Sequence, residues 1–201
     1  MKGRYNRVPE SAIHLATGIA LRGERLLMVA SHYANQPHSL WNLPGGRQQP
    51  GELLVETVVR EFYEETNLRV RAGELAYVSE SYDGDRHFLN ATFLVEVIES
   101  SSFDPSTGSG QAELRMTILS ACAKRSPERS RRVRMTPGGP ALTPGDHVVA
   151  VEWVPIDAVR ERVVVRVVRE PLVAYLEGRS ERRYAGYHDA GITIEWPADS
   201  L

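Results

Sequence analysis

The chain has 201 residues, of which 42% are hydrophobic and 25% charged, and a formal net charge of -2 at pH 7. That is the composition of a globular protein with a sizeable core, and the near-neutral balance excludes a global attraction to nucleic acid or to an anionic membrane. A single cysteine, Cys122, rules out an internal disulfide. No apolar run approaches the roughly 20 residues of a membrane span, and Met1 to Glu10 lacks the apolar core of a signal peptide, so the expected compartment is the cytoplasm.

In chain order, Ala12 to Leu21 and Arg25 to Ala30 read as two strands joined around Arg22-Gly23-Glu24. Trp41-Asn42-Leu43-Pro44-Gly45-Gly46 follows, where two consecutive glycines serve either a plain turn or a close approach of the backbone to a ligand. Next comes Gly46-Arg47-Gln48-Gln49-Pro50-Gly51-Glu52 and, after seven residues, Arg60-Glu61-Phe62-Tyr63-Glu64-Glu65-Thr66-Asn67-Leu68. Glu61, Glu64 and Glu65 are spaced i, i+3, i+4, so on a helix all three point to one side and repel one another. A divalent cation relieves that repulsion, and carboxylate oxygens are the ligands that Mg²⁺ and Mn²⁺ prefer. On the neighbouring arc, Val55, Val58, Val59 and Phe62 form a face that packs on a sheet. Glu56 and Arg60 are placed for an i, i+4 ion pair, and Arg60 is also placed to brace a metal-binding carboxylate.

Downstream, Glu74 to Ser81 and His87 to Ile98 read as strands connected by residues 82–86, the second of them central because it alternates poorly. From Ser100 to about Gly145 breakers such as Ser100-Ser101-Ser102 and Pro137-Gly138-Gly139-Pro140 mark a flexible insertion. Its cluster of Lys124, Arg125, Arg129, Arg131, Arg132 and Arg134 reads as a solvated loop or as a lid carrying positive charge to a polyphosphate or RNA. His147 to Val154 is a strand, Ile156 to Arg169 and Pro171 to Leu176 are helical with Pro171 breaking or restarting the helix, and Ile192 to Trp196 is a short strand.

Residues 46–68 resemble the signature of the Nudix hydrolases, G-x5-E-x7-R-E-U-x-E-E-x-G-U with U a bulky apolar residue. Gly46, Glu52, Arg60, Glu61, Phe62, Glu64, Glu65 and Leu68 all fit, and Asn67 stands where the pattern has Gly. A helix end there turns left-handed, which Asn tolerates best among non-glycine residues. The end of the strand at Glu152-Trp153-Val154-Pro155 also resembles the last core strand of Nudix domains.

The resemblance implies one domain over residues 1–201, folded as an α/β/α sandwich with a mixed β-sheet. It implies hydrolysis of a pyrophosphate linkage in a nucleoside diphosphate joined to another group X, giving a nucleoside monophosphate and phospho-X, with Mg²⁺ or Mn²⁺ as cofactor. By resemblance Glu61, Glu64 and Glu65 are the metal ligands, Gly46 contributes a backbone group near the metal, and Glu52 and Arg60 orient loop and helix. The general base stays open among Glu113, Asp146 and Glu152. Trp41 and Tyr82, with His32 and Tyr33, are read either as platforms for a base or as packing residues. A nucleotide-derived small molecule is the expected partner and a homodimer fits the family. An RNA 5′-end pyrophosphohydrolase that grips the chain with the basic insertion, and a non-catalytic nucleotide sensor, are the alternatives. The intact acids argue against the sensor.

Overall fold

Period-two burial along the strands decides which layer each side chain enters. In β1 (Ile13–Ile19) Ala16 packs with one apolar cluster and Ile19 with another, and in β3 (Arg25–Ser31) Leu27 goes to the first while Leu26 and Met28 go to the second. A sheet of this kind is apolar on both faces and has to be covered on both. The computed structural model of the protein describes residues 12–33, 36–98, 148–178 and 183–188. The basic insertion over 100–145, Cys122 and the strand expected at Ile192 to Trp196 lie outside them.

Besides β1 and β3, the described elements are β2 (Leu21–Arg22), β4 (Leu40–Asn42), β5 (Gly45–Arg47), α1 (Leu54–Thr66), β6 (Val70–Asp83), β7 (Arg86–Val97) and β8 (Val148–Pro155). A 3-10 turn (Ile156–Ala158), α2 (Val159–Arg162), α3 (Arg166–Leu176) and β9 (Tyr184–Tyr187) follow. Five strands form one sheet in the order β5-β1-β7-β6-β9, in which β1 runs parallel to β7 and β6 parallel to β9 while the other neighbours are antiparallel. In the second sheet β3 pairs antiparallel with β2, β4 and β8. The strand expected to be central, β7, is the middle one of the five.

Helix α1 covers one face, its Val58 and Phe62 packed among Ala16, Leu27, Ala91, Phe93 and Val95. Helix α3 covers the other, where Leu172 and Val173 meet Ile19, Met28, Tyr77 and Val154. Full burial of a side chain such as Phe62 is worth about 1.5–3 kcal/mol. Phe62 reaches the sheet because Gly18 stands opposite it: a Cβ on Gly18 would lie 2.8 Å from the ring. The result is the expected α/β/α sandwich with a mixed sheet.

Three local expectations are corrected. The connection read as residues 82–86 is a turn of Gly84 and Asp85 alone, and Tyr82 and Asp83 still pair with His87 and Arg86. Gly84, at φ 61, supplies the left-handed residue of the turn, so the strands extend to its edge. Pro171 does not break the helix: it sits buried inside α3, and the interruption falls instead at Val163 and Val164, which are buried. Burial of three consecutive β-branched side chains, Val163 to Val165, outweighs continuity of the helix there. Glu56 turns from Arg60 to the helix start, where its carboxylate accepts the Leu53 N–H at 2.9 Å. It satisfies one of the free donors of the first turn, where an acid is also favoured by the helix dipole. The strand β9 had no counterpart among the expected elements.

Asn67 ends α1 in the left-handed conformation, φ 57 and ψ 18, with its N–H on the Tyr63 carbonyl at 2.8 Å. Asn67→Gly is therefore expected to keep full stability, whereas Asn67→Val loses about 1–2 kcal/mol, read as a shift in the denaturant midpoint. Equal midpoints for the two variants would contradict a left-handed residue at this end.

Candidate active site

The segment between β5 and α1 folds back on the helix because Arg60 holds it. The guanidinium grips Glu52 with two bonds, Nε to Oε1 at 2.6 Å and Nη2 to Oε2 at 3.0 Å, and Nη2 also donates to the Arg47 carbonyl at 3.1 Å. Its remaining nitrogen, Nη1, donates to Glu61 Oε1 and to Glu64 Oε2, both at 2.9 Å. A planar fork with five donors is the side chain that can serve a loop and a helix at once.

Glu52 is held from further directions. Its Oε2 accepts the Gln49 N–H at 3.0 Å and the hydroxyl of Thr57 at 2.9 Å, and its own carbonyl accepts Gln48 Nε2 at 2.6 Å. The hydrogen bonds from Arg60, above all, hold the Glu52 carboxyl down at about 2, with the Gln49 and Thr57 bonds adding to them against partial desolvation. Arg60 is correspondingly raised above its ordinary value, first by its bond to Glu52. Thr57, fully buried, was not anticipated; its place one turn below Arg60 and five residues after Glu52 was the only signal in the sequence. His14 and Gln48, joined at 3.1 Å between Nδ1 and Oε1, extend the same network onto β1.

The two glycines sit where side chains would collide with the acids. A Cβ on Gly46 would lie 2.5 Å from Cδ of Glu61 and 2.6 Å from both carboxylate oxygens. Gly45, at φ 148, gives its N–H to Glu65 Oε2 at 2.8 Å, and a Cβ there would lie 2.2 Å from the Ala16 carbonyl oxygen. The pair is not a plain turn: both residues are strand residues of β5, and what lies close to them is β1 and the Glu61 carboxylate. Glu65 is buried at 4% exposure, whereas the Glu64 side chain is 51% exposed.

Thus Gly46, Glu52, Arg60, Glu61, Glu64 and Glu65 come together. Trp41 and Tyr82 do not join them. Trp41 lies in β4 with the Arg162 guanidinium 4.5 Å over its ring, and Arg162 is also bonded to Glu152 at 2.5 Å, so one face of Trp41 is covered and Glu152 is engaged. Tyr82 is in β6, three strands from β5. Tyr33, just after β3, feels the cluster: desolvation and then the charge of Glu65 raise its hydroxyl above the ordinary value. Glu113 and Asp146 lie outside the described residues.

Three carboxylates on one guanidinium leave an excess of negative charge, and all the donors are oxygen. Among the described residues no three His, Cys, Asp or Glu side chains converge on a single point. The donor set nevertheless fits a hard divalent cation. Glu61 and Glu64 are already drawn to one nitrogen, and the absence of a side chain at Gly46 makes the room that the Glu61 carboxylate takes.

A family model described as NUDIX domain matches residues 12–175. The chain belongs to the NUDIX family. Solved structures similar to this Nudix protein include a NUDIX hydrolase from Nitrosomonas europaea, at 18% identity over 87% of this chain and 93% of that one, with a TM-score of 0.55. A MutT protein from Methanosarcina mazei shares 14% identity over 87% and 100% of the two chains, with a TM-score of 0.58. An ADP-ribose pyrophosphatase from Streptococcus suis shares 16% identity over 89% and 100%, with a TM-score of 0.51. At such identities the likeness is one of fold. No curated protein matches the chain in sequence.

Because Glu52 is held below the ordinary carboxylate range, the stability it contributes is fully present above about pH 4.5 and is lost as pH falls towards about 2. Glu52→Gln is expected to be less stable than the parent at about pH 6, with the gap clearly smaller at about pH 3, in denaturant titrations at both pH values. A gap of constant size would contradict the Arg60 clamp as its source.

Proposed function

We propose that this Nudix hydrolase cleaves the pyrophosphate linkage of a nucleoside diphosphate derivative with water, in a reaction dependent on Mg²⁺ or Mn²⁺. The observation that carries the reading is the acid cluster of α1, gathered on Arg60 and pressed against the side-chain-free backbone of Gly45 and Gly46. Glu61, Glu64 and Glu65 are the residues that would hold the cation. When bound, it neutralises the phosphate oxygens whose charge otherwise repels a nucleophile. The oxygen of water forms a bond to one phosphorus and releases its proton to solvent, the bond from that phosphorus to the bridging oxygen breaks with the electron pair going to that oxygen, and the second phosphate leaves, giving a nucleoside monophosphate and phospho-X.

In this reading the chain's own residues differ in task. Glu52 and Arg60 are positioning residues: they fasten the loop from Arg47 to Glu52 to the helix, so that backbone and carboxylates face one space. Glu65, buried and bonded to the Gly45 N–H, fixes the glycine pair relative to α1. Glu64 is the most exposed of the three acids and the one with least structural work. A group whose chief role is to meet a cation and water is expected to look like this. The likeness to a structure called an ADP-ribose pyrophosphatase adds a nucleoside diphosphate sugar to the substrates worth testing.

Glu64→Gln is expected to lose most activity, about a hundredfold or more, with an unchanged denaturant midpoint, because it removes a ligand charge and no buried contact. Gly46→Ala is expected to lose activity as well, since its methyl occupies the space of the Glu61 carboxylate. The assay is product identification by phosphorus NMR on ADP-ribose, nucleotide sugars, dinucleoside polyphosphates and nucleoside triphosphates, with Mg²⁺, with Mn²⁺ and with chelator. Turnover that survives the chelator or Glu64→Gln would overturn the reading.

A further inference from the structure

One histidine stands at the far end of the acid network, on the strand beside it, and has no part in the proposed reaction. The residues of β1 that face α1 are His14, Ala16 and Gly18, alternate positions of one strand. Gly18 makes room for the ring of Phe62, and Ala16 pairs with Gly46, beside which the Glu61 carboxylate lies. His14 is the next in the row, and the residue it meets is Gln48.

Gln48 is bonded through its backbone and through both ends of its amide. Its N–H donates to the His14 carbonyl at 3.0 Å, which continues the pairing of β5 with β1. Its Nε2 donates to the Glu52 carbonyl at 2.6 Å, and its Oε1 faces His14 Nδ1 at 3.1 Å. The protons are placed by these contacts. A backbone carbonyl only accepts, so the amide nitrogen of Gln48 is the atom turned to Glu52 and the amide oxygen the one turned to His14. That oxygen also only accepts. Nδ1 of His14 therefore carries a proton, and in the neutral ring Nε2 is bare.

The pairing of Leu15 with Arg47, Ala16 with Gly46 and Thr17 with Gly45 already holds β5 on β1, so the strand needs no side-chain bond to stay there. What the pairing leaves open is the course of the chain after Gln48. Glu52 is fixed at its carboxylate by Arg60, Gln49 and Thr57, and at its carbonyl by Gln48. A residue held at both ends has one direction, and the direction of the Glu52 carboxylate sets where the Arg60 fork stands. Nη1 of that fork meets Glu61 and Glu64. We propose that His14 is a positioning residue for the acids of α1: by donating Nδ1–H it keeps the Gln48 amide turned to Glu52, and through Glu52 and Arg60 it sets where Glu61 and Glu64 stand. The proposal rests on the reading of those acids as the groups that hold the cation. His14 is exposed, so water reaches the bond, and without the histidine the Gln48 amide is as well satisfied in another orientation. The Glu52 carbonyl then loses its partner, and the loop loses the second of its two holds on Glu52.

The first readout, on the full chain, needs neither cation nor substrate. Long-range proton–nitrogen NMR of the ring at about pH 8, above the ordinary histidine range, is expected to show His14 with Nδ1 protonated and Nε2 bare. Gln48→Leu is expected to release the ring to a mixture of tautomers. The second readout is the affinity for Mn²⁺ alone, by EPR, together with kcat and KM on the compound of the nucleotide panel that the parent cleaves. His14→Leu is expected to weaken Mn²⁺ binding and to lower kcat, each by about three- to tenfold, the worth of one hydrogen bond. KM and the denaturant midpoint are expected to stay close to the parent's. His14→Asn keeps an N–H at the place of Nδ1 and is expected to restore both affinity and kcat, whereas His14→Gln sets its donor one bond further out and is not. In the Gln48→Leu background, His14→Leu is expected to have no further effect. An Nε2–H tautomer in the parent, Mn²⁺ affinity and kcat unchanged in His14→Leu, or equal losses in His14→Asn and His14→Leu would overturn the proposal while leaving the hydrolase reading in place. A parent that binds no Mn²⁺ and cleaves no nucleotide would overturn the hydrolase reading and the role of His14 together.

Discussion

The arrangement of the acids depends on one guanidinium. Arg60 is the point at which the loop after β5 and the helix α1 are tied, through two bonds to Glu52, one to the Arg47 carbonyl and one each to Glu61 and Glu64. Charge-assisted bonds are about twice as strong as neutral ones, and the paired contact to Glu52 also fixes direction. Without that tie, seven residues from Gly46 to Glu52, two of them glycine and one proline, would have no strong reason to lie against the helix. With it, the carboxylates that repel one another along α1 share a positive neighbour and stay on one side.

The glycine pair serves the same end by what it leaves out. Close packing normally fills such a place with a side chain. At Gly46 the occupant is instead the Glu61 carboxylate, and at Gly45 it is the backbone of β1, with the N–H turned to Glu65. The acids are therefore held by backbone and by Arg60 rather than by apolar contacts, and the apolar work of α1 falls to Val58 and Phe62 on the adjoining arc. Separating the two tasks on one helix allows an acid to be neutralised by substitution without opening the core.

The five-stranded sheet carries different chemistry at its two edges. At β5 the backbone is stripped of side chains and faced by carboxylates. At β9 it carries tyrosines and a histidine arranged round Glu80. The middle strands β1, β7 and β6 keep these apart, and their two apolar faces make the sheet a stiff spacer between α1 and α3.

Much of this was legible in the order of residues. The spacing of Glu61, Glu64 and Glu65 placed them on one arc of a helix, the arc of Val58 and Phe62 faced the sheet, and Asn67 marked a left-handed end, because these are relations between residues a few positions apart. Relations across long separations were not legible. Nothing near Glu56 indicated that it would cap Leu53 rather than pair with Arg60, since Arg60 is claimed by Glu52 only once the loop has folded back. Pro171 looks like a break until the burial of Val163 to Val165 moves the interruption upstream. Likewise Tyr82, His87, Tyr184 and His188 are unremarkable one by one. Strand pairing alone sets their rings in one row, because register decides which side chains share a face, and the pairing of β6 with β9 joins segments about a hundred residues apart. Local periodicity thus determined the acid-bearing helix, while the tertiary structure decided which partners its charges found and what stood at the far edge of the sheet.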